Sequence, residues 1–582
     1  MNIQFLGRKY STEELIKKRR RIVRELSQQK VHFVEKKALI LSGSTVGELA
    51  EQLKMFCLAK GIKLSIKQGD FGRYFEDSVF GNTGLENDIY DFIYVHVTNR
   101  NLLNIPEPSD GYETVKNKLQ TECEKLDAVI EALQKKFSCP IIHNNFEMLP
   151  YRVLGNREVW DNSGAINFIN RVNEYLNQKA REEKNLYIND INYLASYYGI
   201  KQWTDLSCWY RYKYAMCIDA IPLIAQNLSA IIISLLGKNK KCIVLDLDNT
   251  LWGGVIGDEG KENIIIGNDS AKGEAYLDFQ KYVKQIKETG IILCVVSKNE
   301  DEVAQSGFSR KEMMLKLNDL ASFTANWEPK SKNIQHTAEK LNLSLDSFIF
   351  IDDSEMERDE VYSCLPDIDV PVLTNEAHYI QDIEECRLFE VTNHSIEDND
   401  RTNYYLQNEM RERERQKYSN YEEYLRSLNM EWTFSDFKEN SFERIVQLTN
   451  KTNQFNLTTK RMNMGDIVKR ALAPDSYICI QGNMRDRFGD NGLVTVLIGK
   501  ITGNTLEIEN WLMSCRVFRR NGEYRLFDYL LDRCKKKGIK KIIGRYTPTE
   551  KNGIVKSFYS SLNFNLVKER SNDRETIYEL LL

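Results

Sequence analysis

An α/β protein of three successive domains is what this sequence predicts, and three observations predict it. Between residues 35 and 236 short apolar runs alternate with amphipathic stretches, the pattern of a doubly wound sheet. Residues 237–395 carry three strongly apolar runs, each ending on polar or charged residues and separated by helical stretches, which describes a second open parallel sheet. Residues 430–582 are mixed α and β. A chain of 582 residues exceeds what one core can hold, so separate domains are expected.

The chain starts with a basic helical segment, residues 1–34. Residues 12–29 read as an amphipathic helix with Thr12 as N-cap and Leu15, Ile22, Val23 and Leu26 on its apolar side. Its run Lys17-Lys-Arg-Arg-Arg21 is read as a solvated face; the alternative is a docking patch for an acidic carrier protein. In the domain 35–236, Ala38 to Ser44 is a strand and turn, Val46 to Lys60 a helix, and Ile62 to Ile66 and Phe92 to Val97 further strands. The apolar stretch Ile218 to Leu236 is interrupted by Asp219, Pro222, Gln226 and Asn227, so it reads as a buried helix rather than a membrane span.

The central domain holds the most informative residues. Cys242-Ile-Val-Leu-Asp246-Leu-Asp248 is a buried strand ending in two carboxylates, at the sheet edge where open α/β folds place functional groups. A strand-end carboxylate can attack phosphorus and carry it as an aspartyl phosphate, provided a hard divalent cation neutralises the charge, while a second carboxylate serves as general acid and base. If the strand continued, Asp246 and Asp248 would share a face; if the backbone left the strand after Asp246, Asp248 could turn over the substrate. Three further pieces follow in order. Gly290 to Ser297 is a strand ending in a hydroxyl able to hold a phosphate oxygen, with Asn299 beside it; Lys330 after Pro329 supplies a point charge; Phe348-Ile-Phe-Ile-Asp352-Asp353 completes an Mg²⁺ site.

These residues resemble the motifs of the haloacid dehalogenase superfamily: Asp246 and Asp248 match its first motif, Ser297 the second, Lys330 the third, and Asp352 and Asp353 the fourth. The extension Leu251-Trp-Gly-Gly-Val-Ile-Gly-Asp-Glu-Gly is similar to that of the FkbH-like (HAD-IIIC) branch. The resemblance implies a Mg²⁺-dependent enzyme that takes a phosphorylated small acid of the 1,3-bisphosphoglycerate type and loads its glyceryl group onto an acyl carrier protein for polyketide-type biosynthesis. Asp246 would be the nucleophile, Asp248 the acid and base, Ser297, Lys330 and Asn299 the phosphate ligands, and Asp246, Asp248, Asp352 and Asp353 the metal site. One departure stands out: the acyl-accepting cysteine of the glyceryl-transferring members is here Val296, and Cys294, two residues back, is the nearest thiol. Short spacings from Asp248 to Ser297 and from Ser297 to Lys330 leave no room for a large cap, which favours a big or protein-presented substrate.

The flanking domains are expected to resemble an esterase-type (SGNH-like) domain before the phosphatase domain and an acyltransferase (GNAT-like) domain after it. In the first, Ser42 or Ser44 would be the serine and Asn87 or Asn99 an oxyanion donor, but no Asp-x-x-His occurs near its end and His143 lacks an acidic partner, so a scaffold or docking role is favoured. Residues 396–429 read as a charged helical linker with an apolar face of Tyr404, Tyr405 and Leu406. In the last domain a coenzyme A pyrophosphate would need a Gly-rich turn before the central helix; the turn here has Arg519 and Asn521 where that pattern has glycines, leaving Arg516, Arg519 and Arg520 as candidate contacts for a pantetheine phosphate.

Net charge of −4 argues against general nucleic-acid binding. Twelve cysteines without a CxxC pair, and no cleavable apolar opening stretch, lead to the expectation of free thiols in the cytoplasm. Two alternatives stand beside the glyceryl-transfer reading: a phosphatase on another phosphorylated substrate without acyl transfer, and a non-catalytic scaffold for carrier-protein docking.

Overall fold

The computed structural model describes all residues except 30–32, 82–83, 184, 393–406, 408–409, 412–413, 515–516, 519, 550 and 571–574. The expected linker face Tyr404, Tyr405 and Leu406, and the candidate phosphate contacts Arg516 and Arg519, lie outside the described residues. The chain divides into two compact units, Met1–Ser234 and Leu235–Leu582.

In the first unit, strands β1 (Asn2–Phe5) and β2 (Arg8–Ser11) form a hairpin. The expected single helix after it is two, Thr12–Lys17 and Arg19–Ser27, and the N-cap is Ser11 rather than Thr12. The Ser11 hydroxyl accepts the Glu14 N–H while the Glu14 carboxylate accepts the Ser11 N–H at 3.0 Å, a reciprocal capping box that fixes the start one residue earlier. The basic run carries its own counter-charges: Lys17 pairs with Glu13, Lys18 with Glu14, Arg19 with Glu48 and Arg21 with Glu25.

Five parallel strands follow: β3 (Val34–Ser42), β4 (Ile62–Gln68), β5 (Phe92–His96), β6 (Ile141–Asn144) and β7 (Leu186–Asn189), ordered β4-β3-β5-β6-β7. Strand order reverses between β3 and β5, the crevice position of a doubly wound sheet. Leu39, Leu41, Ile93 and Val95 alternate onto one face and form a core with Val129 and Ile130 of the helix Tyr112–Lys136 and Phe168 and Val172 of the helix Ala165–Glu182. Ile218–Leu235 is long and apolar enough to cross a membrane, with mean hydropathy 1.7, yet 72% of it is buried inside the protein.

The second unit begins with β8 (Cys242–Leu245), β9 (Ile292–Ser297), β10 (Leu320–Ala325) and β11 (Phe348–Ile351), parallel and ordered β10-β9-β8-β11. Period-2 alternation sends Ile243, Leu245, Leu293 and Val295 into one core and Cys242, Val244, Cys294 and Val296 into another on the opposite face. Both faces are buried, which is why these runs are continuously apolar. The reversal falls between β8 and β11, so the residues after Leu245 and Ile351 share one crevice.

Beyond Met430 the unit carries a mixed sheet of eight strands: β12 (Glu431–Asp436), β13 (Phe455–Asn456), β14 (Tyr477–Asp486), β15 (Gly489–Thr502), β16 (Thr505–Met513), β17 (Lys541–Tyr546), β18 (Asn565–Arg570) and β19 (Glu575–Leu581), ordered β12-β14-β15-β16-β17-β19-β18 with β13 on β16. It touches the preceding sheet domain through Lys551 to Asp346 at 3.1 Å and the paired amides of Asn342 and Gln454.

Candidate active site

The strand β8 stops at Leu245, although Asp246 still donates its N–H to Ile351 O at 3.0 Å. The chain then leaves the sheet: Leu247 O accepts the N–H groups of Thr250 (3.1 Å) and Leu251 (2.8 Å), and Asn249 takes the left-handed conformation (φ +53°) that asparagine tolerates. Tyr379 and Tyr276 pin this turn by donating their hydroxyls to Asn249 O at 2.9 and 3.4 Å. Of the two geometries open to the sequence, the backbone takes the one in which Asp248 departs from the strand.

Three carboxylates gather at the crevice. Oxygens of Asp246, Asp352 and Asp353 lie within 4.8 Å of one another. Lys330, the first residue of the helix Lys330–Leu341, stands between two of them, its Nζ 2.8 Å from Asp246 Oδ1 and 2.5 Å from Asp352 Oδ2. Pro329 as N-cap fixes the backbone that aims it there. Asp352 Oδ1 accepts the Ser354 N–H at 2.9 Å, Asp353 Oδ1 lies 3.2 Å from the Thr250 hydroxyl, and Arg358 donates to the backbone carbonyls of Asp352 and Asp353 at 2.7 and 2.6 Å.

Burial pushes the Asp246 carboxyl up to about 6, against the pull of Lys330. Burial likewise raises Asp352, and burial together with the Asp246 charge raises Asp353. The Lys330 ammonium is disfavoured by burial, but Asp246 and Asp352 outweigh that and hold it protonated. Three ionised carboxylates against one ammonium leave two negative charges in a site where Asp246 is 5% and Asp352 0% exposed. An all-oxygen donor set with that excess suits a hard divalent cation, and the residues fit it.

Asp248 stands apart from this group. Its Oδ1 accepts the Trp252 indole N–H (2.9 Å) and the Ile256 N–H (3.1 Å), and its Oδ2 accepts the Asn299 amide at 2.8 Å. Asp248, expected at the metal site, has a carboxylate that is not among the three that cluster, because the turn after Leu247 carries it to these other partners. Asn299, expected on the phosphate, spends its N–H groups on Asp248 and on Ser297 Oγ (3.2 Å). Ser297 is buried at the end of β9, as its apolar run required.

Cys294 is fully buried, and its sulfur lies 3.5 Å from that of Cys242, whose thiol burial pushes well above its ordinary range. It faces the core with Val296 and Phe350, so this candidate acyl-accepting thiol is packed inside the sheet domain and 0% exposed. Arg520, the described candidate phosphate contact, is 9% exposed and held 3.3 Å from the fully buried Asp486 carboxylate.

In the first unit the crevice ends of the strands bear a buried polar network rather than a hydrolase triad. Tyr94 Oη lies 2.8 Å from both His96 Nδ1 and Asn144 Oδ1, and Asn189 donates to Asn144 Oδ1 at 2.8 Å. Neither Ser42 nor Ser44 is hydrogen-bonded to a histidine; both are buried, and Ser44 Oγ has no partner. His143 bonds its neighbour's carbonyl, Asn144 O, at 2.5 Å; Asn99 donates to Glu147, and Asn87 is exposed. Sequence reading missed Thr250, Trp252 and Arg358, although Trp252 stands in the extension that begins at Leu251.

Comparison with known proteins bears on both units. Residues 37–233 match the family model of the FkbH N-terminal domain. No curated protein matches the chain. Among solved structures, the N-terminal part of the protein BF1531 from Bacteroides fragilis, containing a phosphatase domain and complexed with Mg, is 28% identical with TM-score 0.59, covering 66% of this chain and 99% of that one. The ribosomal-protein-S18-alanine N-acetyltransferase from Escherichia coli is 14% identical with TM-score 0.20 and covers 26% of this chain and 94% of its own. The fold of the last part accordingly stands on its strand order. With the motif positions gathered at one crevice and these two matches over the preceding parts, residues 37–233 carry a domain like the FkbH N-terminal domain, and the sheet domain after it resembles a phosphatase domain of the haloacid dehalogenase type.

Proposed function

We propose that the chain is a Mg²⁺-dependent phosphotransfer enzyme of the cytoplasm that dephosphorylates a phosphorylated small acid of the 1,3-bisphosphoglycerate type. In the finer reading, the enzyme supports loading of the resulting acyl group onto an acyl carrier protein in polyketide-like biosynthesis. The observation that carries the first part is Lys330 bridging Asp246 and Asp352, with Asp353 beside them, at the reversal of strand order.

Asp246, Asp352 and Asp353 would hold the Mg²⁺, which when bound supplies charge neutralisation for an incoming phosphate. The Asp246 carboxylate attacks phosphorus, the bond to the leaving oxygen breaks, and Asp248 delivers a proton to that oxygen. Water then attacks the aspartyl phosphate, Asp248 takes its proton, and inorganic phosphate departs with Asp246 restored. Lys330 and Ser297 hold phosphoryl oxygens. Val296 carries no thiol and Cys294 is buried, so loading would proceed without a relay at these positions: Asp246 takes the ester phosphate, and the carrier thiolate attacks the carbonyl of the remaining acyl phosphate, forming the S–C bond as the C–O bond breaks and phosphate leaves.

The same two residues favour the second reading, a phosphatase without acyl transfer. Intact-mass spectrometry of the chain with Mg²⁺, 1,3-bisphosphoglycerate and a holo acyl carrier protein separates them. A glyceryl mass on the carrier, lost in Asp246→Asn, supports loading. Phosphate release with an unmodified carrier supports the phosphatase, and no Asp246-dependent release refutes both.

A further inference from the structure

We infer that Trp252 and Asn299 are positioning residues that fix Asp248 for proton transfer, leaving one lone pair of its Oδ2 free for the reacting oxygen. This rests on the proposed function and goes beyond the motif residues themselves.

Three donors reach one carboxylate. Trp252 Nε1 and the Ile256 N–H take Oδ1, at 2.9 and 3.1 Å, and Asn299 Nδ2 takes Oδ2 at 2.8 Å. A carboxylate oxygen offers two in-plane lone pairs, so Oδ1 is filled and Oδ2 keeps one. Rotation about the last side-chain bond of Asp248 would break all three contacts together. The carboxylate therefore has one orientation, and one open acceptor position within it.

The donors are themselves fixed. Trp252 is 0% exposed, packed edge-on against Phe308 with ring centroids 5.8 Å apart, and a Cβ on Gly307 would stand 3.0 Å from its ring. An indole N–H only donates, and buried in such packing it needs an acceptor, which Asp248 provides. Asn299 is 3% exposed and also donates to Ser297 Oγ at 3.2 Å. One amide thus ties the hydroxyl expected on the phosphate to the group expected to move the proton. Preorganised orientation of this kind is what converts a nearby carboxyl into an effective acid or base.

A merely structural tie between the turn and β9 would slow all substrates alike, whereas a positioned acid matters only when the leaving oxygen needs a proton. The test compares kcat/KM, which reads steps through phosphoryl transfer to Asp246, for an alkyl phosphate (β-glycerol phosphate) and an aryl phosphate (p-nitrophenyl phosphate) with Mg²⁺. Trp252→Phe and Asn299→Ala are each expected to lower the alkyl value by about a hundredfold and the aryl value by less than about tenfold, the lower end of what general acid catalysis contributes. Either change made in Asp248→Asn should add less than about twofold, because the group it positions is already gone. Equal losses on both substrates, or losses that add in Asp248→Asn, overturn the inference. Should Trp252→Phe fail to fold, Asn299→Ala alone decides. No Asp246-dependent phosphate release from 1,3-bisphosphoglycerate, together with no turnover of either ester, would be a failure of the proposed function, distinct from the equal or additive losses that overturn the inference alone.

Discussion

Replacing Lys330 by methionine keeps most of its buried stem and removes only the ammonium that lies 2.8 Å from Asp246 and 2.5 Å from Asp352. The two carboxylates then face each other without compensation at 5% and 0% exposure, and the folded state must take up protons to relieve them. A carboxyl that has to be protonated costs about 1.4 kcal/mol for each pH unit above its unfolded value near 3.9, which is about 4 kcal/mol at pH 7 and about 1.5 kcal/mol at pH 5. The first figure agrees with the roughly 3–5 kcal/mol lost when a buried ion pair is broken from one side. The sign follows from linkage: the folded variant binds more protons than the unfolded chain, so its stability falls as pH rises. Amide hydrogen exchange in β8 and β11 of the full chain, without Mg²⁺, reads this domain without assuming that 582 residues unfold together. Lys330→Met should lose protection by about 3–5 kcal/mol at pH 7 and recover most of it by pH 5, and saturating Mg²⁺ should narrow the gap. A loss of equal size at both pH values would refute the assignment of Lys330 as the counter-charge of this cluster.

Three more outcomes are expected. Since Asp246 sits at about 6 without metal, proton and Mg²⁺ compete there, and calorimetric Mg²⁺ affinity should weaken towards tenfold per pH unit below pH 6 while staying flat above pH 7. Cys294→Ala should leave phosphate release within about twofold of the unsubstituted chain, because its thiol lies in the core; a tenfold loss in a stably folded variant would return the acyl relay to consideration. In the first unit, burial raises Glu147 from 4.5 to about 7, so its unfolded form ionises first and stability falls by about 3 kcal/mol as pH climbs through that window; Glu147→Gln should remove this slope from hydrogen exchange in β5 and β6.

Much of this site is legible in the sequence because its parts sit where apolar runs stop. A buried parallel strand reads as a continuous run of Val, Ile and Leu, and the first polar residue after it must lie at the sheet edge; this places Asp246, Ser297 and Asp352 without any tertiary information. Asp248 was ambiguous for the same reason. Period-2 alternation would set it beside Asp246, but only while the strand continues, and the strand ends at Leu245. What ends it is a turn held by Leu247 O and by hydroxyls of Tyr276 and Tyr379, residues 27 and 130 positions away from Asn249. No local pattern announces such contacts. The role of Asn299 was hidden likewise, since an amide two residues after a phosphate-site serine has the right chemistry for phosphate and for carboxylate alike.

The last part shows the same limit in its sheet. Strands β16 and β17 pair only from Thr505 to Glu507 and from Lys541 to Ile543, after which β16 runs on to Met513 without β17 beside it. Parallel strands that part in this way expose an unpaired backbone edge, the place where an extended ligand can add itself as a strand. Here the chain fills that edge itself. Phe455–Asn456 pairs with Met513 and Leu512, Leu457 donates to Trp511 O at 3.1 Å and accepts from Thr547 at 2.9 Å, and the Asn552 amide bridges Asn456 O and Thr547 O at 3.0 and 2.9 Å. A strand of two residues has no periodicity to read, so only the structure reveals it. At the helix Gly522–Lys536, a Cβ on Gly522 would stand 2.1 Å from the Trp432 ring, and the Glu523 carboxyl, raised by burial, lies one residue further on. The backbone edge and the helix end are thus taken up by the chain's own side chains and strand, which leaves the crevice at Asp246 as the place where the described residues of the second unit combine buried charge with unsatisfied demand for a cation.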